Sequence, residues 1–341
     1  MKDSKTITRK TDHIQINLRE DVRSDITTGL EAYHFIHNAL PEIDLKDIDL
    51  STSFLSRSLK LPLLISSMTG GTPDGEKINR ILASAAEKWG CAMGVGSQRA
   101  AIDNPESAGT FQVRKTAPNI LLLANLGAVQ LNYGYGLDQC RKAVDSIEAD
   151  GLILHLNPLQ EALQPEGQTN FSGLLQKIEN ICSHIGKPVI IKEVGWGISE
   201  TTAKQLFDAG VTAIDVAGAG GTSWSQVEMH RLETNSSQRI AADFRSWGIP
   251  TAESIRLVRN AVPKIPVIAS GGIKTGMDIA KCIALGASLG GIAGPLLRAA
   301  DVSESELDQL LEEIKTELTI TMFATGAANI DELKKSHLIA N

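Results

Sequence analysis

A closed (β/α)8 barrel is the fold this sequence predicts, on three observations. Eight short runs rich in Leu, Ile and Val recur from residue 61 onward, and segments with helical periodicity separate most of them. Near-continuous apolar strands alternating with helices call for a parallel sheet covered on its outer face. Eight such units in about 235 residues close into a barrel more readily than they spread into an open sheet, and no G-x-G-x-x-G follows the first run to favour the doubly wound alternative.

Taken in order, the first 60 residues lie outside the repeat and read as an N-terminal extension packed on the barrel. "LPLLIS" (61–66) is the first strand. The helix after it, "EKINRILASAAEKWG", places apolar residues at three- and four-residue steps and stops at Gly90, a candidate C-cap. "CAMGV" (91–95), "NILLLAN" (119–125), "GLILHLN" (151–157) and "PVIIKEV" (188–194) are the next four strands. "SETTAKQLFDAG" then opens a helix on the candidate N-cap Ser199 and ends at Gly210. "AIDVAG" (213–218) is strand six, and the polar, Trp-containing stretch 223–250 is a long insertion before its helix. "PVIASG" (266–271), the helix "TGMDIAKCIALGA" and "LGGIAG" (289–294) complete the barrel. Residues 303–324 read as a final amphipathic helix. The expectation is one domain over 1–341: extension 1–60, barrel 61–302, C-terminal helix and tail 303–341.

With 341 residues, 42% of them apolar and 4% aromatic, the chain has an ordinary soluble globular composition. The charge balance, 33 − 40 = −7, argues against nucleic acid or an anionic membrane as a general partner, so any anionic ligand must meet a local basic cluster. The stretch "MKDSKTITRKTDH" carries no apolar core of signal-peptide type, and no run reaches transmembrane length. Cys91, Cys140, Cys182 and Cys282 are scattered without a Cys-x-x-Cys pair, which reads as reduced, buried cysteine in a cytoplasmic protein.

In such a barrel the site sits at the C-terminal ends of the strands. Strands seven and eight end in "SGGIKTG" and "GIAGPLL", each leading into a helix start, where backbone N–H groups can meet a phosphate. Lys192 lies inside strand five, and a lysine in a strand buried on both faces needs a partner. It is open to three readings: a Schiff-base nucleophile, a cation beside a cofactor ring, or a structural ion pair with Glu193 or Asp215. Ser97 and Asn125, at the ends of strands two and three, suit hydrogen bonding to a planar heterocycle. "GAGGTSW" adds backbone donors, Thr222 and the flat wall of Trp224. Phosphate loops at strands seven and eight, an inward lysine on strand five and amide or hydroxyl groups at strands one to three together match FMN binding, the lysine favouring the anionic reduced ring.

A second set is basic. Arg9 and Lys10 in "TRKTDH" and Arg99 in "GSQRAA" could meet another anion at the mouth, though Arg9 and Lys10 taken singly fit a solvated tail better, and His13 alone carries no signal. Strand four ends in "LHLNPLQE" (154–161). Residues two apart in a strand share a face, so His155 and Asn157 point one way while Leu154 and Leu156 point the other. Pro158 ends the strand, and Gln160 and Glu161 stand above it at the mouth. Glu161 is the one carboxylate of this cluster, and a carboxylate with a phosphate is a usual Mg2+ arrangement. His155 could donate to a diphosphate, and Gln160 could reach a reacting carbon.

Nine motifs in order carry a resemblance: "RKTDH" (9–13), "SSMTGGT" (66–72), "GSQRAA" (96–101), "NLGA" (125–128), "LHLNPLQE" (154–161), "KEVGWGIS" (192–199), "DVAGAGGTSW" (215–224), "ASGGIKTG" (269–276) and "GIAGPLL" (291–297). From residue 9 to about 300 the chain resembles the type II isopentenyl-diphosphate isomerases, FMN-dependent barrel enzymes. The resemblance implies that FMN is held by Ser67, Met68, Thr69, Ser97, Asn125, Lys192 and Thr222, with its phosphate at Gly272, Ile273 and Lys274 and at Ala293 and Gly294. It implies that the substrate diphosphate meets Arg9, Lys10, Ser97, Gln98, Arg99 and His155, that Asn157 and Gln160 face the substrate, and that Glu161 holds Mg2+. Gln160 and His155 are the expected catalytic side chains. The implied reaction is a 1,3-allylic proton shift from isopentenyl diphosphate to dimethylallyl diphosphate on reduced FMN. NADPH would serve only to reduce the flavin, and the assembly would be a homo-oligomer, tetramer or octamer.

Two rivals are weaker. A flavin oxidoreductase on the same barrel, of the hydroxy-acid oxidase or dihydroorotate-dehydrogenase kind, needs a base placed for carbon–hydrogen abstraction. The oxidases carry an Arg–His pair late in the barrel, which the ends of strands seven and eight lack here. Nucleotide dehydrogenases place a cysteine in the loop after strand six, and "GAGGTSW" has none. A flavin- or phosphate-binding regulator without catalysis would have no need of the polar cluster at strand four.

Overall fold

The structure, a computed structural model, describes residues 2–340, with side chains from residue 9 onward. The extension begins with helix α1 (Lys2–Arg19) and continues through strand β1 (Tyr33–Phe35) and the antiparallel pair β2 (Thr52–Phe54) and β3 (Arg57–Leu59). The eight predicted runs then supply β4 (Leu63–Ile65), β5 (Ala92–Gly94), β6 (Leu122–Gly127), β7 (Gly151–His155), β8 (Val189–Lys192), β9 (Ala213–Asp215), β10 (Val267–Ala269) and β11 (Leu289–Ile292). They close into one parallel barrel in the order β10-β11-β4-β5-β6-β7-β8-β9.

Strand periodicity sorts the core into two layers. Leu64, Ala92, Leu123, Ile153, Ile190, Ala213, Ile268 and Leu289 share a cluster inside the barrel. Phe54 and Leu59 of the β2–β3 pair belong to that cluster and plug its lower end. Flanking residues such as Leu63, Ile65, Leu152 and Ile191 face outward into a larger cluster with the surrounding helices. Those helices start and stop where the caps predict. α2 (Pro73–Trp89) is capped by Thr72 and ended by left-handed Gly90. After the short α3 (Arg99–Asp103), α4 (Leu137–Ser146), α5 (Pro158–Leu163) and α6 (Leu174–His184), α7 (Glu200–Asp208) opens on Ser199, whose side chain accepts from Thr202 N.

The strands are shorter than the apolar runs, and the reason is local. The N–H groups of Val194, Gly195 and Trp196 all donate to the Glu193 carboxylate at 2.6–2.8 Å, so the ladder cannot continue past Lys192. Ala217 N similarly donates to Asp215 Oδ1 at 3.3 Å, and Ala217 has a φ of 36°, which breaks β9.

Insertion 223–250 is structured: it folds into α8 (Trp224–Met229) and α9 (Asn235–Asp243) before α10 (Thr251–Ala261) resumes the repeat. α11 (Gly276–Ala284) and α12 (Gly294–Val302) follow the last two strands. The helix expected over 303–324 is α13 (Glu304–Thr325), but it is not the final element. α14 (Ile330–Leu333) and strand β12 (Leu338–Ala340) come after it, and β12 pairs antiparallel with β1, Tyr33 opposite Ala340.

Candidate functional site

A cavity of about 910 Å3 opens at the C-terminal ends of the barrel strands, roofed by α1 and by the strap of residues 19–28. The strap is held down by backbone bonds from Ser24 N to Gly221 O and from Ser223 N to Val22 O. This volume lies at the upper end for small-molecule sites, roomy enough for a cofactor and a small substrate together.

Beside β10 and β11, two glycine loops meet closely. A Cβ on Gly272, whose φ is 79°, would lie 2.5 Å from the Gly220 carbonyl, and one on Gly221 would lie 2.6 Å from Gly272 N. α12 starts at Gly294 with no side-chain cap from Ala293, leaving its first N–H groups for an anion. α11 differs. Asp278 already accepts from the backbone N–H groups of Lys274 and Thr275, at 3.0 and 3.2 Å. The Lys274 N–H is thus occupied, which leaves its side chain to face a phosphate at this loop. Gly272, Ile273, Ala293 and Gly294 all line the cavity, as does the exposed Lys274 side chain.

At the same level a polar belt runs along neighbouring strands. The register sets Gly127 opposite His155, His155 opposite Lys192, and Lys192 opposite Asp215. Asn125 Oδ1 meets His155 Nδ1 at 2.9 Å. Lys192 Nζ donates to Glu193 O at 2.9 Å, lies 3.5 Å from Asp215 Oδ2 and reaches Ser270 Oγ at 3.5 Å. Of the three readings for Lys192, the ion pair with Asp215 is present, and the lysine also lines the cavity; the Glu193 carboxylate is turned to its own loop, and burial pushes it up to about 7. Ser66 Oγ and Ser67 Oγ are buried without a partner, which suits a ligand with both donors and acceptors. Met68, Ser97 and Thr222 also line the cavity. Thr69 lines it too, but its hydroxyl donates to Asn79 Oδ1 at 2.6 Å, leaving only its backbone for a cofactor.

Arg9, Lys10 and Arg99 converge on this cavity from α1 and α3, so the reading of Arg9 and Lys10 as a solvated tail is overturned. Lys10 Nζ donates to Gly70 O and Ser97 O, both at 2.7 Å, and sits 4.7 Å from the Phe111 ring centroid. Its confinement, with Arg9 nearby, lowers its pKa to about 7. Arg9 is also lowered, by burial and then by Arg99. Burial, followed by Lys192, Arg9 and Lys10, drives His155 down to about 4, so its ring is neutral at pH 7. A neutral His155 donating from Nδ1 to Asn125 leaves Nε2 as an acceptor, and donation to a diphosphate requires the ring to take up a proton. Gln98 is a correction. Its side chain is fully buried in the wall, donating to Ala143 O at 2.8 Å and accepting from Asn125 N at 3.0 Å, and it does not line the cavity.

The stretch 154–161 also departs from expectation. The ladder ends at His155, so Asn157 is not a strand residue; it is the N-cap of α5, which carries Gln160 and Glu161. Asn157, Gln160 and Glu161 are buried, not perched at an open mouth. Asn157 Nδ2 donates to Gln160 Oε1 at 3.0 Å and to Glu161 Oε1 at 3.1 Å, while its own Oδ1 is buried without a partner. Gln168 N donates to Glu161 Oε2 at 2.6 Å. No group of three or more His, Cys, Asp or Glu side chains suited to a metal occurs among the described residues. One carboxylate and the free Asn157 oxygen fit a hard cation only if phosphate and water supply the remaining ligands, which is a habit of Mg2+.

Nor is Glu161 the one carboxylate of the cluster. Glu228, fully buried on α8, accepts from Gln160 Nε2 at 2.8 Å, Gln164 Nε2 at 3.0 Å and Arg231 Nη1 at 2.6 Å, and pairs with His13 Nε2 at 3.0 Å. Burial pushes Glu228 up, but the His13 and Gln160 hydrogen bonds and the Arg231 charge outweigh it and hold the carboxyl below its ordinary range. Burial holds His13 low despite Glu228, and its ring meets Trp224 edge-on at 5.0 Å. Reading 223–250 only as a polar insertion missed this centre. The signal lay in "WSQVE", where Trp224 and Glu228 stand four apart and so share a helix face.

A family model described as FMN-dependent dehydrogenase matches residues 155–340. A protein of Nostoc sp. named isopentenyl-diphosphate delta-isomerase is 56% identical over 334 residues, covering 98% of this chain and 95% of its own. A protein of the same name from Rickettsia bellii is 54% identical over 335 residues, covering 98% of each. Among solved structures, a mandelate oxidase with (S)-2-phenylpropionate superposes with a TM-score of 0.68 at 20% identity, covering 99% of this chain and 98% of that one, a likeness of fold.

Proposed function

Because the chain belongs to the type II, FMN-dependent isopentenyl-diphosphate delta-isomerase family, we propose that its cavity converts isopentenyl diphosphate to dimethylallyl diphosphate on reduced FMN with Mg2+. One observation carries the reading. Gln160 and His13, joined behind the wall by Glu228, share a single cavity with the Arg9–Lys10–Arg99 cations and the glycine cradle at β10 and β11. In the closed strand order β7 stands across from β11, so the strand bearing His155 faces the one whose loop would take the cofactor phosphate.

Gly272, Ile273, Ala293 and Gly294 would hold the FMN phosphate, and Ser67, Asn125 and Lys192 the polar edge of its ring. Reduced FMN supplies an electron-rich surface on which positive charge developing at an alkene is stabilised. Glu161 with Asn157 would hold Mg2+, whose charge anchors the diphosphate away from the reacting carbons.

The remaining work falls to the chain. Arg9 and Arg99 bind the diphosphate as forks, and Lys10 adds a point charge from between two carbonyls. His155 becomes a donor to the diphosphate by taking up a proton, a change the neighbouring dianion favours. Gln160 presents its amide to the isoprenoid end and is fixed there by Glu228. Glu228, ionised and held by His13 and Arg231, fixes the orientation of that amide. α1 and the strap keep water from the reacting carbons.

Anaerobic incubation with FMN, NADPH, Mg2+ and isopentenyl diphosphate, followed for dimethylallyl diphosphate, tests the reading. NADPH is needed only to reduce the flavin, so product formation far exceeds its consumption. Consumption in proportion to product would mark an oxidoreductase instead. The expected homo-oligomer belongs to the same reading and is checked by sedimentation velocity.

A further inference from the structure

The belt contains one charged group that the reaction above does not use. Asp215 lies on β9, fully buried behind the cavity wall. Register sets it directly beside Lys192 on β8. Its Oδ1 accepts from Ser270 Oγ at 2.5 Å and from Ala217 N at 3.3 Å. Its Oδ2 has no hydrogen-bond partner and lies 3.5 Å from Lys192 Nζ.

An interior ammonium needs a counter-charge, and the neighbours of Lys192 supply it from one side only. The Glu193 carboxylate faces the N–H groups of residues 194–196, offering the lysine just its backbone carbonyl. His155, next on the other side, is neutral. Ser270, at the end of β10, gives the lysine a weak acceptor and gives Asp215 a strong donor. Asp215 is thus the one carboxylate facing the lysine in this belt, and its orientation is set by Ser270.

We propose that Asp215 is a positioning residue that holds the Lys192 ammonium aimed into the cavity, and through it stabilises the anionic reduced flavin, with Ser270 fixing the carboxylate. The inference rests on the reading that FMN occupies this cavity with Lys192 at the edge of its ring. Its logic is a sign. If Asp215 served only as a negative charge near the flavin, removing it would make reduction easier. If it holds the ammonium in place, removing it lets the lysine turn away from the ring, and reduction becomes harder.

Reductive titration of the FMN-loaded enzyme separates the two. Asp215→Asn at pH 7.5 is expected to lower the ratio of reduced to oxidised flavin at fixed potential about tenfold, ~30 mV for a two-electron couple. Ser270→Ala shifts the ratio the same way by less and carries the test should Asp215→Asn fail to fold or retain FMN. In a Lys192→Met background, which has no ammonium to aim, Asp215→Asn produces no fall. An unchanged or raised ratio in Asp215→Asn overturns the proposal, as does an unchanged ratio in Ser270→Ala. Lys192→Met separates the two levels: if it leaves the ratio unchanged, the placement of the lysine beside the flavin is what fails.

Discussion

On the proposed function, binding of a diphosphate to this cavity should take up protons, with Lys10 accounting for most of them near neutrality. Its amine, held between Gly70 O and Ser97 O with Arg9 close by, has a pKa lowered to about 7 from 10.5. A diphosphate seated against it restores the charged form, so the pKa rises on binding and protons are absorbed. With the free value near 7, about half a proton is taken up at pH 7 and about 0.9 at pH 8. Affinity is full below that value and weakens as pH rises through it, by about 1.4 kcal/mol at pH 8, or tenfold. His155, near 4, adds uptake wherever its ring must charge to donate. Titration calorimetry of the FMN-loaded enzyme with an alkyl diphosphate ester, in two buffers of different ionisation enthalpy, measures the stoichiometry directly. Well above pH 7 the ester's own last phosphate ionisation, about 6 to 7, contributes little. Lys10→Arg is charged in both states, so the uptake at pH 8 should drop by about 0.9 proton. No uptake at pH 8 in the parent enzyme, or the same uptake in Lys10→Arg, refutes the reasoning.

The other expectations concern separate parts of the site. Glu161→Gln should weaken Mg2+-dependent turnover while FMN stays bound, and unchanged Mg2+ activation would exclude Glu161 as the ligand. Glu228→Gln should lower kcat by ~10^2-fold while KM moves little, since it removes the charge that fixes the Gln160 amide; an unchanged kcat leaves Glu228 without a part in positioning Gln160. Gly272→Ala places a Cβ 2.5 Å from the Gly220 carbonyl at a φ of 79° and should release FMN, read as loss of flavin absorbance after gel filtration. Lys192→Ala should impair flavin binding or destabilise its reduced form, and normal flavin spectra with full activity would remove its role.

Much of the barrel was legible because strand and helix periodicity, with Gly and Ser/Thr caps, act over a few residues. Seven of the eight apolar runs contain a barrel strand and the third overlaps one that runs on to Gly127, and Gly90 and Ser199 bound their helices as expected. What could not be read is where a side chain turns once backbone and ligand groups compete for it. Gln98 sits in a motif beside Arg99 yet faces the wall, because Asn125 N and Ala143 O satisfy it there. Lys274 has its backbone N–H taken by Asp278. Glu228 and His13 are 215 residues apart, and no local pattern joins them. The antiparallel pairing of β1 with β12 likewise joins two three-residue strands too short to announce themselves.

That pairing bears on the order in which the molecule is made. Residues 9–13, which bring two of the cations and the histidine to the cavity, are synthesised before any barrel strand exists. Glu228, the partner of His13, follows 215 residues later, and β12 later still. Loop closure over such distances costs only slowly more with length, so the delay is kinetic rather than thermodynamic. A nascent chain can close its sheet while the segment ahead of it stays undocked. The anion-binding arc would then be among the last parts to acquire structure, and an incomplete chain ending before residue 338 would have a finished barrel without the clasp that ties residues 33–35 to its far end.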